Sequence, residues 1–402
     1  MPFDVPGLMV IAGLTIIIGY AGSIIFEKTK IPDVLWLMLF GYLVSAFRII
    51  DTSFFFSISG FLASVALFMI LFDAGLNINF YQMVRQFSRS MLLSVFTTAF
   101  TIAAVTGVCM FFGLGFLPSL LIGCLLAGTS SAIVVPLVTK LKIRGNIRTV
   151  IGFESIFSDP MVIVLSLAVM GIMTGGMIGN PVSSVLSVFS VGAMLGLVAG
   201  IIWLFVLDYL KGRQFDYMLT LGALLLLYTF TEYAGGSGAI AALLFGIVLG
   251  NASTFSEILK TQRKFTVNHL LKNFQSEISF FVRSFFFVYI GMVVSLDQET
   301  LIIGHAVTLA VIMARFLAVD ASTIGEKLSA YEKNIMRIMV PRDFIPVLLT
   351  QLPILYTIPN TGMFSKVVMN VVFLSIVYTT LMVLILPKQE EQNLMKNNKN
   401  KK

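Results

Sequence analysis

The sequence is short of charge. Of its 402 residues, 12% are Asp, Glu, Lys or Arg and 57% are hydrophobic. A soluble globular domain carries about 25% charged residues. No stretch long enough to make a soluble domain is polar enough to be one, and the mean hydropathy of +0.95 points to a chain that crosses the membrane many times. Cysteine is nearly absent. Cys109 and Cys124 are the two, both inside apolar runs and without metal-ligand spacing, so they read as small buried residues and not as a disulfide or thiolate framework. The two histidines, His269 in a basic loop and His305 near a span end, read as structural or pH-modulating. There is no glycine-rich phosphate loop and no nucleophile elbow. The chain is therefore not expected to be an enzyme or to hold a cofactor. The N-terminus lacks a basic n-region, and its first apolar run is long enough to span, which argues against a cleavable signal peptide. No nucleotide-binding segment follows the last span, so regulation by nucleotide within this chain is not expected.

What is abundant is apolar sequence in lengths of about 20 residues, the length a membrane span needs. Thirteen candidates can be read, at 8–26, 33–50, 58–76, 91–115, 117–138, 148–174, 184–208, 217–233, 238–250, 276–296, 300–324, 342–358 and 366–387. The net charge of +7 reports topology and not nucleic acid. With the N-terminus outside, the inside loops and their flanks collect basic residues at every crossing, from Lys28 and Lys30 through Arg144 and Arg148 to Arg337 and Arg342. The outside loops hold Arg48 and, near a span end, Lys366. This places the C-terminus in the cytoplasm. The tail from Lys388 onward is polar and expected to be disordered.

A few ionisable residues lie where lipid is expected: Asp73, Glu154, Asp159, Arg283 and Arg315, with Glu277 and Asp320 near span ends. Such residues cost several kcal/mol in a bilayer and mark functional sites by default. In "FESIFSDP" (153–160), Asp159 falls near the middle of the sixth span. Glu154, five residues earlier, points about 140° away on a helix, so the two are not read as a proton-sharing pair. Ser155 shares a face with Asp159, and Ser158 with Glu154. Pro160 exposes the carbonyl of Ile156. Arg315 matches Glu154 in depth, which suggests an ion pair and leaves Asp159 without a fixed cation. The alternative is that both carboxylates are locked in pairs, with Arg315 and Arg283. Arg283 has no well-argued partner; Glu277 is a weak candidate.

Two spans are interrupted. The fifth contains "AGTSSAIVVPLV" (127–138), where Gly128, Thr129, Ser130 and Ser131 break the apolar run ahead of Pro136. The twelfth begins "VPRDFIPVLLTQLP", with Pro341, Pro346 and Pro353. Non-helical backbone at membrane depth is tolerated where it lines a cavity or is buried in protein. Broken helices seven spans apart run in opposite directions, as an inverted repeat requires.

These motifs, with "SFFFVYIGMVVSL" and "MARFLAV" in order on later spans, resemble the monovalent cation:proton antiporter superfamily. The similarity is to its NhaP-type sodium/proton antiporters and covers nearly the whole chain. The resemblance implies an all-α membrane fold of the NhaA-like antiporter type, with inverted repeats and two crossed discontinuous helices. It implies a homodimer in which residues 1–90 and 217–299 form a dimerisation domain, 91–183 and 300–387 a core that moves as an elevator, and 184–216 a linking helix. By the same resemblance, Asp159 is the ion- and proton-binding aspartate, with Ser155, Thr129 and Ser158 in the ion-binding set and Thr129 and Ser155 as the further ligands of sodium. Glu154 and Arg315 form a structural pair, and Asp73 lies in a cytoplasmic funnel. Two positions depart from the pattern: Ser158 stands where Asn is usual, and Thr129-Ser130-Ser131 stands for Thr-Asp-Pro. The second departure leaves sodium against potassium open.

A carboxylate in a desolvated site can hold a proton or a sodium ion but not both, and that competition couples the two fluxes. Its bare charge is expected to hinder crossing when it holds neither. With Ser158 unable to ionise, the exchange is expected to be electroneutral, moving Na+, with Li+ as a further cargo, against H+ for pH homeostasis. A potassium/proton antiporter is the alternative. A channel would need a continuous pore and a repeated filter, which the sequence lacks. An intramembrane aspartyl protease would need Asp73 and Asp159 at one depth with a Gly-x-Gly-Asp signal, also missing. A non-transporting sensor is a further alternative.

Overall fold

A computed structural model describes residues 5–29, 31–47, 64–65, 68–141, 143–174, 181–210, 213, 215–261, 265, 269–294, 297–342, 344–350, 353 and 361–399. Lys30, Arg48, the first residues of the third expected span and most of 351–360 in the twelfth lie outside them. The described residues form helices α1 (Val5–Thr29), α2 (Asp33–Ala46), α3 (Phe68–Asn77), α4 (Phe80–Phe111), α5 (Phe116–Leu125), α6 (Ser131–Thr139), α7 (Gly145–Met173) and α8 (Pro181–Tyr209). These are followed by α9 (Asp216–Tyr233), α10 (Gly238–Gly250), α11 (Ala252–Ile258), α12 (His269–Val293), α13 (Gln298–Ser322), α14 (Ala330–Ile338), α15 (Phe344–Leu349) and α16 (Thr361–Lys399). Helical residues occur within each of the thirteen expected spans. Among the described residues, seven helices are by themselves long and apolar enough to cross a membrane, and α10 with α11, bent by 83°, makes an eighth candidate. The tail differs from expectation. Its residues to Lys399 continue α16 as helix, because nothing between Leu386 and Lys399 breaks the helix except Pro387 near the end of the apolar stretch, and the Glu, Gln, Lys and Met that follow are good helix formers.

The chain divides into two compact units: Met1–Phe55 with Gln86–Val169 and Phe287–Lys402, and Phe56–Arg85 with Met170–Phe286. Residues 1–90 are therefore split, α1 and α2 belonging to the first unit and α3 to the second. In the second unit α10 is the buried centre. Gly196 of α8 lets that helix come so close that an added Cβ would stand 2.4 Å from the Ala241 carbonyl. Small residues at helix contacts are how membrane helices gain packing without a hydrophobic driving force. Phe68, Phe72, Leu204, Leu224 and Phe245 fill the space around that contact. In the first unit α2 and α12 approach as closely, through Gly41 against Val288 and Gly291 against Met38. A second apolar cluster joins α6, α7, α13, α14 and α16 through Val134, Leu137, Ile151, Val319, Ile335 and Val383.

Helix α14 is short and opens with a capping box. Ser329 Oγ accepts from the Glu332 N–H at 3.2 Å, and Glu332 Oε2 accepts from the Ser329 N–H at 3.0 Å. The same carboxylate receives two bonds from Arg144, of which Nη2–Oε2 is 2.7 Å, and Arg144 also donates to the Lys327 carbonyl at 2.9 Å. The segment after α6 is thereby tied to the start of α14. The Arg144 bonds, with those from Ser329, hold the Glu332 carboxyl down at about 2. A depressed carboxylate contributes stability above its unfolded value, ordinarily about 4.3, and loses it as pH falls toward about 2. Glu332→Gln is therefore expected to lower the melting temperature by an amount that stays constant between pH 5 and 8. Because Arg144 is half exposed, the loss is on the order of 1 kcal/mol. A difference that faded within that pH range would contradict the assignment.

Candidate functional site

The fifth span breaks where its sequence changes from aliphatic to small and polar. Helix α5 ends at Leu125, residues 126–130 leave the helix, and α6 starts at Ser131. The twelfth breaks at 339–342, between α14 and α15. Proline has no N–H to give and disfavours helix in the residue before it, so Val340-Pro341 is a natural stop. The two breaks meet. The Ser130 N–H donates to the Pro341 carbonyl at 2.7 Å. The Arg342 guanidinium, fully buried, donates through Nη1 to the Gly128 carbonyl and, at 3.3 Å, to that of Ala127. These carbonyls lie just past the C-terminus of α5, the negative pole of a helix, and a cation there is stabilising. The Arg342 N–H donates to Ser375 Oγ of α16 at 3.0 Å.

Helix α7 runs unbroken through Pro160 beside this crossing and contributes "FESIFSDP". Glu154 and Arg315 are both completely buried and form a bidentate pair, Nη1–Oε1 at 2.8 Å and Nη2–Oε2 at 3.1 Å. Arg315 also donates to Thr97 Oγ1 of α4 at 3.0 Å and to the Met336 carbonyl of α14 at 2.9 Å. One side chain of α13 thus ties together α4, α7 and α14. On the other face of α7, Asp159 is 3% exposed, and its Oδ2 accepts from the Ser131 hydroxyl at 3.0 Å. The first residue of α6 therefore touches the carboxylate at the middle of α7.

The hydroxyls expected around Asp159 are otherwise engaged. Thr129 Oγ1 donates to Glu154 Oε1 at 3.1 Å, so Thr129 joins the ion pair. Ser155 donates to the Gly152 carbonyl at 2.8 Å. Ser158 accepts from the Thr129 N–H at 3.0 Å and donates to the Ser155 carbonyl at 2.8 Å, which braces the break against α7 and not Glu154. Gly128 sits where an added Cβ would meet Val162 Cγ2 at 2.7 Å. Pro341 and Pro346 are buried in the second break and at the start of α15. Asp73, in the second unit, accepts from Asn77 Nδ2 at 3.3 Å, and the charge acting on it is that of Arg283. Asp320 pairs with Arg337 at 2.6 Å and Lys333 at 3.0 Å, and Glu277 is exposed.

Arg342 is the residue sequence reasoning misplaced. It was counted with the basic loop flanks that orient the chain, yet it lies at the crossing. The available signal was its position between Pro341 and Pro346, inside the interruption itself. With it, the buried charges of the first unit's site are two carboxylates, Glu154 and Asp159, and two guanidinium groups, Arg315 and Arg342. Among the described residues no three His, Cys, Asp or Glu side chains come together to hold a resident metal ion. The arrangement offers instead a buried carboxylate with the Ser131 hydroxyl on it beside a helix break, suited to a monovalent ion.

The transmembrane sodium/hydrogen exchanger family matches residues 13–388. The chain is 26% identical over 360 residues to Na(+)/H(+) antiporter 1 of Methanocaldococcus jannaschii, covering 84% of this chain and 81% of that protein. It is 24% identical over 383 residues to the K(+)/H(+) antiporter NhaP of Alkalimonas amylolytica, covering 92% of this chain and 64% of that one. Among solved structures, the sodium proton antiporter MjNhaP1 of M. jannaschii at pH 8 has the same fold, with a TM-score of 0.80 at 23% identity over 94% of this chain and 98% of that chain.

Proposed function

This chain belongs to the sodium/hydrogen exchanger family, and on that premise we propose that it exchanges a monovalent cation, sodium in the first instance, for protons across the membrane, with Asp159 binding either ion in turn. The observation that carries this reading is the division of labour within α7. Glu154 is held by both arms of Arg315 and by the Thr129 hydroxyl, whereas Asp159, on the opposite face of the helix, accepts from the Ser131 hydroxyl at the helix break. A carboxylate already held by a bidentate guanidinium has little left to offer a passing ion, whereas one that meets a hydroxyl at a helix break can take a proton or a cation there, since the hydroxyl can donate to the carboxylate or turn a lone pair to the ion.

Loading Asp159 with a proton or with sodium adds the same single charge. The two loaded forms are therefore equal in charge, and the exchange is electroneutral. Counted with Arg342, the four buried side chains sum to zero when Asp159 is empty and to +1 when it is loaded. Bare charge on Asp159 is thus balanced within the site, and an uncompensated charge is not what restrains the empty form.

The protein functions as a homodimer in the cell membrane, N-terminus outside and C-terminus in the cytoplasm. Dimer contacts come from helices within 1–90 and 217–299, α1 and α2 of the first unit among them, and the helices of 91–183 and 300–387 carry the ion. It needs no cofactor beyond the ions it moves. Its exchange serves pH homeostasis. Potassium is a second candidate cargo, since relatives of comparable similarity are named for it. Proton flux in proteoliposomes, driven by outward gradients of sodium, lithium or potassium, tests the reading. Saturable flux with sodium is the expected result, and flux that neither saturates nor needs a counter-gradient would put a channel in its place.

A further inference from the structure

The break in the fifth span carries two adjacent serines that the pairing around Asp159 separates sharply. Thr129, Ser155 and Ser158 commit their hydroxyls to Glu154 and to backbone carbonyls. Ser131 commits its own to Asp159. Ser130, next to it and fully buried, leaves Oγ without a hydrogen-bond partner, and although it stands at the N-cap of α6 its side chain caps nothing. A buried hydroxyl with no partner is costly and calls for an explanation. Each serine oxygen has two lone pairs, so together they can replace part of the water shell of an alkali cation, as fixed oxygens do in selective ion sites.

We infer that Ser131 is a direct ligand of the transported alkali cation and sets the affinity of the Asp159 site, with Ser130 supplying a further oxygen. This rests on the exchange reading above and goes beyond it by naming the side chains that grip the ion. With the site empty, the Ser131 O–H donates to Asp159 Oδ2. When a cation arrives on Asp159, the hydroxyl swings its hydrogen away and turns a lone pair to the ion, 3 Å or so from the carboxylate oxygen it has left. Placing this ligand at the first residue of α6 also fixes it on the broken helix, so that cation binding pulls α6 and α7 together. A proton on Asp159 makes no such demand, because it needs a single acceptor.

The test is cation-driven proton flux in proteoliposomes, with apparent KM and Vmax for sodium separated, on Ser131→Ala and on the shape-matched pair Ser131→Thr and Ser131→Val. Loss of one oxygen ligand to a charged ion is expected to raise the apparent KM about tenfold in Ala and Val. Vmax should stay within about twofold, and Thr should restore KM. Ser130→Ala should raise KM as well, by less. If Ala proves too unstable to reconstitute, the Thr and Val pair decides alone. Equal KM for Thr and Val, or a loss confined to Vmax and melting temperature, overturns the inference and makes Ser131 a packing residue. A wild-type protein that exchanges no alkali cation for protons overturns the exchange reading and this inference with it.

Discussion

Asp159→Asn is expected to abolish cation-driven proton flux, to at least about 100-fold below wild type, without unfolding the protein. The substitution keeps the size and shape of the side chain. Its amide oxygen still accepts from the Ser131 hydroxyl, which now stands 3.0 Å from Oδ2, and Asp159 is not the carboxylate that binds Arg315. What Asn removes is the charge and the titration. An amide takes neither a proton nor a cation strongly near neutral pH, so both halves of the exchange stop together. A melting temperature near that of wild type, measured on the same preparation, separates this outcome from a folding failure. A variant that retained cation-dependent flux would remove Asp159 from the site.

Arg315→Ala is expected to act in the opposite manner, through stability. This buried guanidinium donates four bonds, two to Glu154, one to Thr97 Oγ1 and one to the Met336 carbonyl. Removing it leaves Glu154 buried and unpaired and frees a carbonyl beside the second break. Losing one partner of a buried pair costs about 3–5 kcal/mol, enough to depress expression and thermal stability severely. The double replacement Glu154→Gln with Arg315→Met should be less destabilised than the sum of its single changes, because an apolar or neutral pair leaves no orphaned charge. An Arg315→Ala protein that melted with wild type but did not transport would place Arg315 in the ion pathway.

The contrast between these two predictions follows the line between what the sequence revealed and what it did not. The depth of Glu154 and Arg315 in their spans was enough to suggest that they meet, because a helix rises a fixed 1.5 Å per residue and charges at equal depth in lipid must find each other. The opposite faces of Glu154 and Asp159 followed from the 100° turn between residues. The two breaks were visible as small, polar and proline residues inside apolar runs. What sequence could not supply was the direction of individual hydroxyls at the breaks. Outside a regular helix no period fixes where a side chain points, so Thr129 and Ser131 could not be told apart, and the one assigned to Asp159 was Thr129. Arg342 was misread for a related reason. Basic residues orient a membrane protein when they lie beside a span, and a break at the start of a span looks, in sequence, like the loop before it.

Burying Arg342 at the crossing also changes the electrostatic logic. An empty site whose four charges cancel does not resist crossing the membrane through charge alone, so tight coupling has to come from the packing of the empty form. The proposed stoichiometry, by contrast, depends on a single exchanging carboxylate, Asp159.

The direct measurement of that dependence is the ratio of proton flux to sodium flux in the same proteoliposomes, read with the membrane potential clamped at several values. One exchanging carboxylate predicts one proton per sodium ion at every potential, with no current that tracks turnover. A ratio near two, or a rate that rises with potential, would show a second titrating group in the cycle and contradict the account.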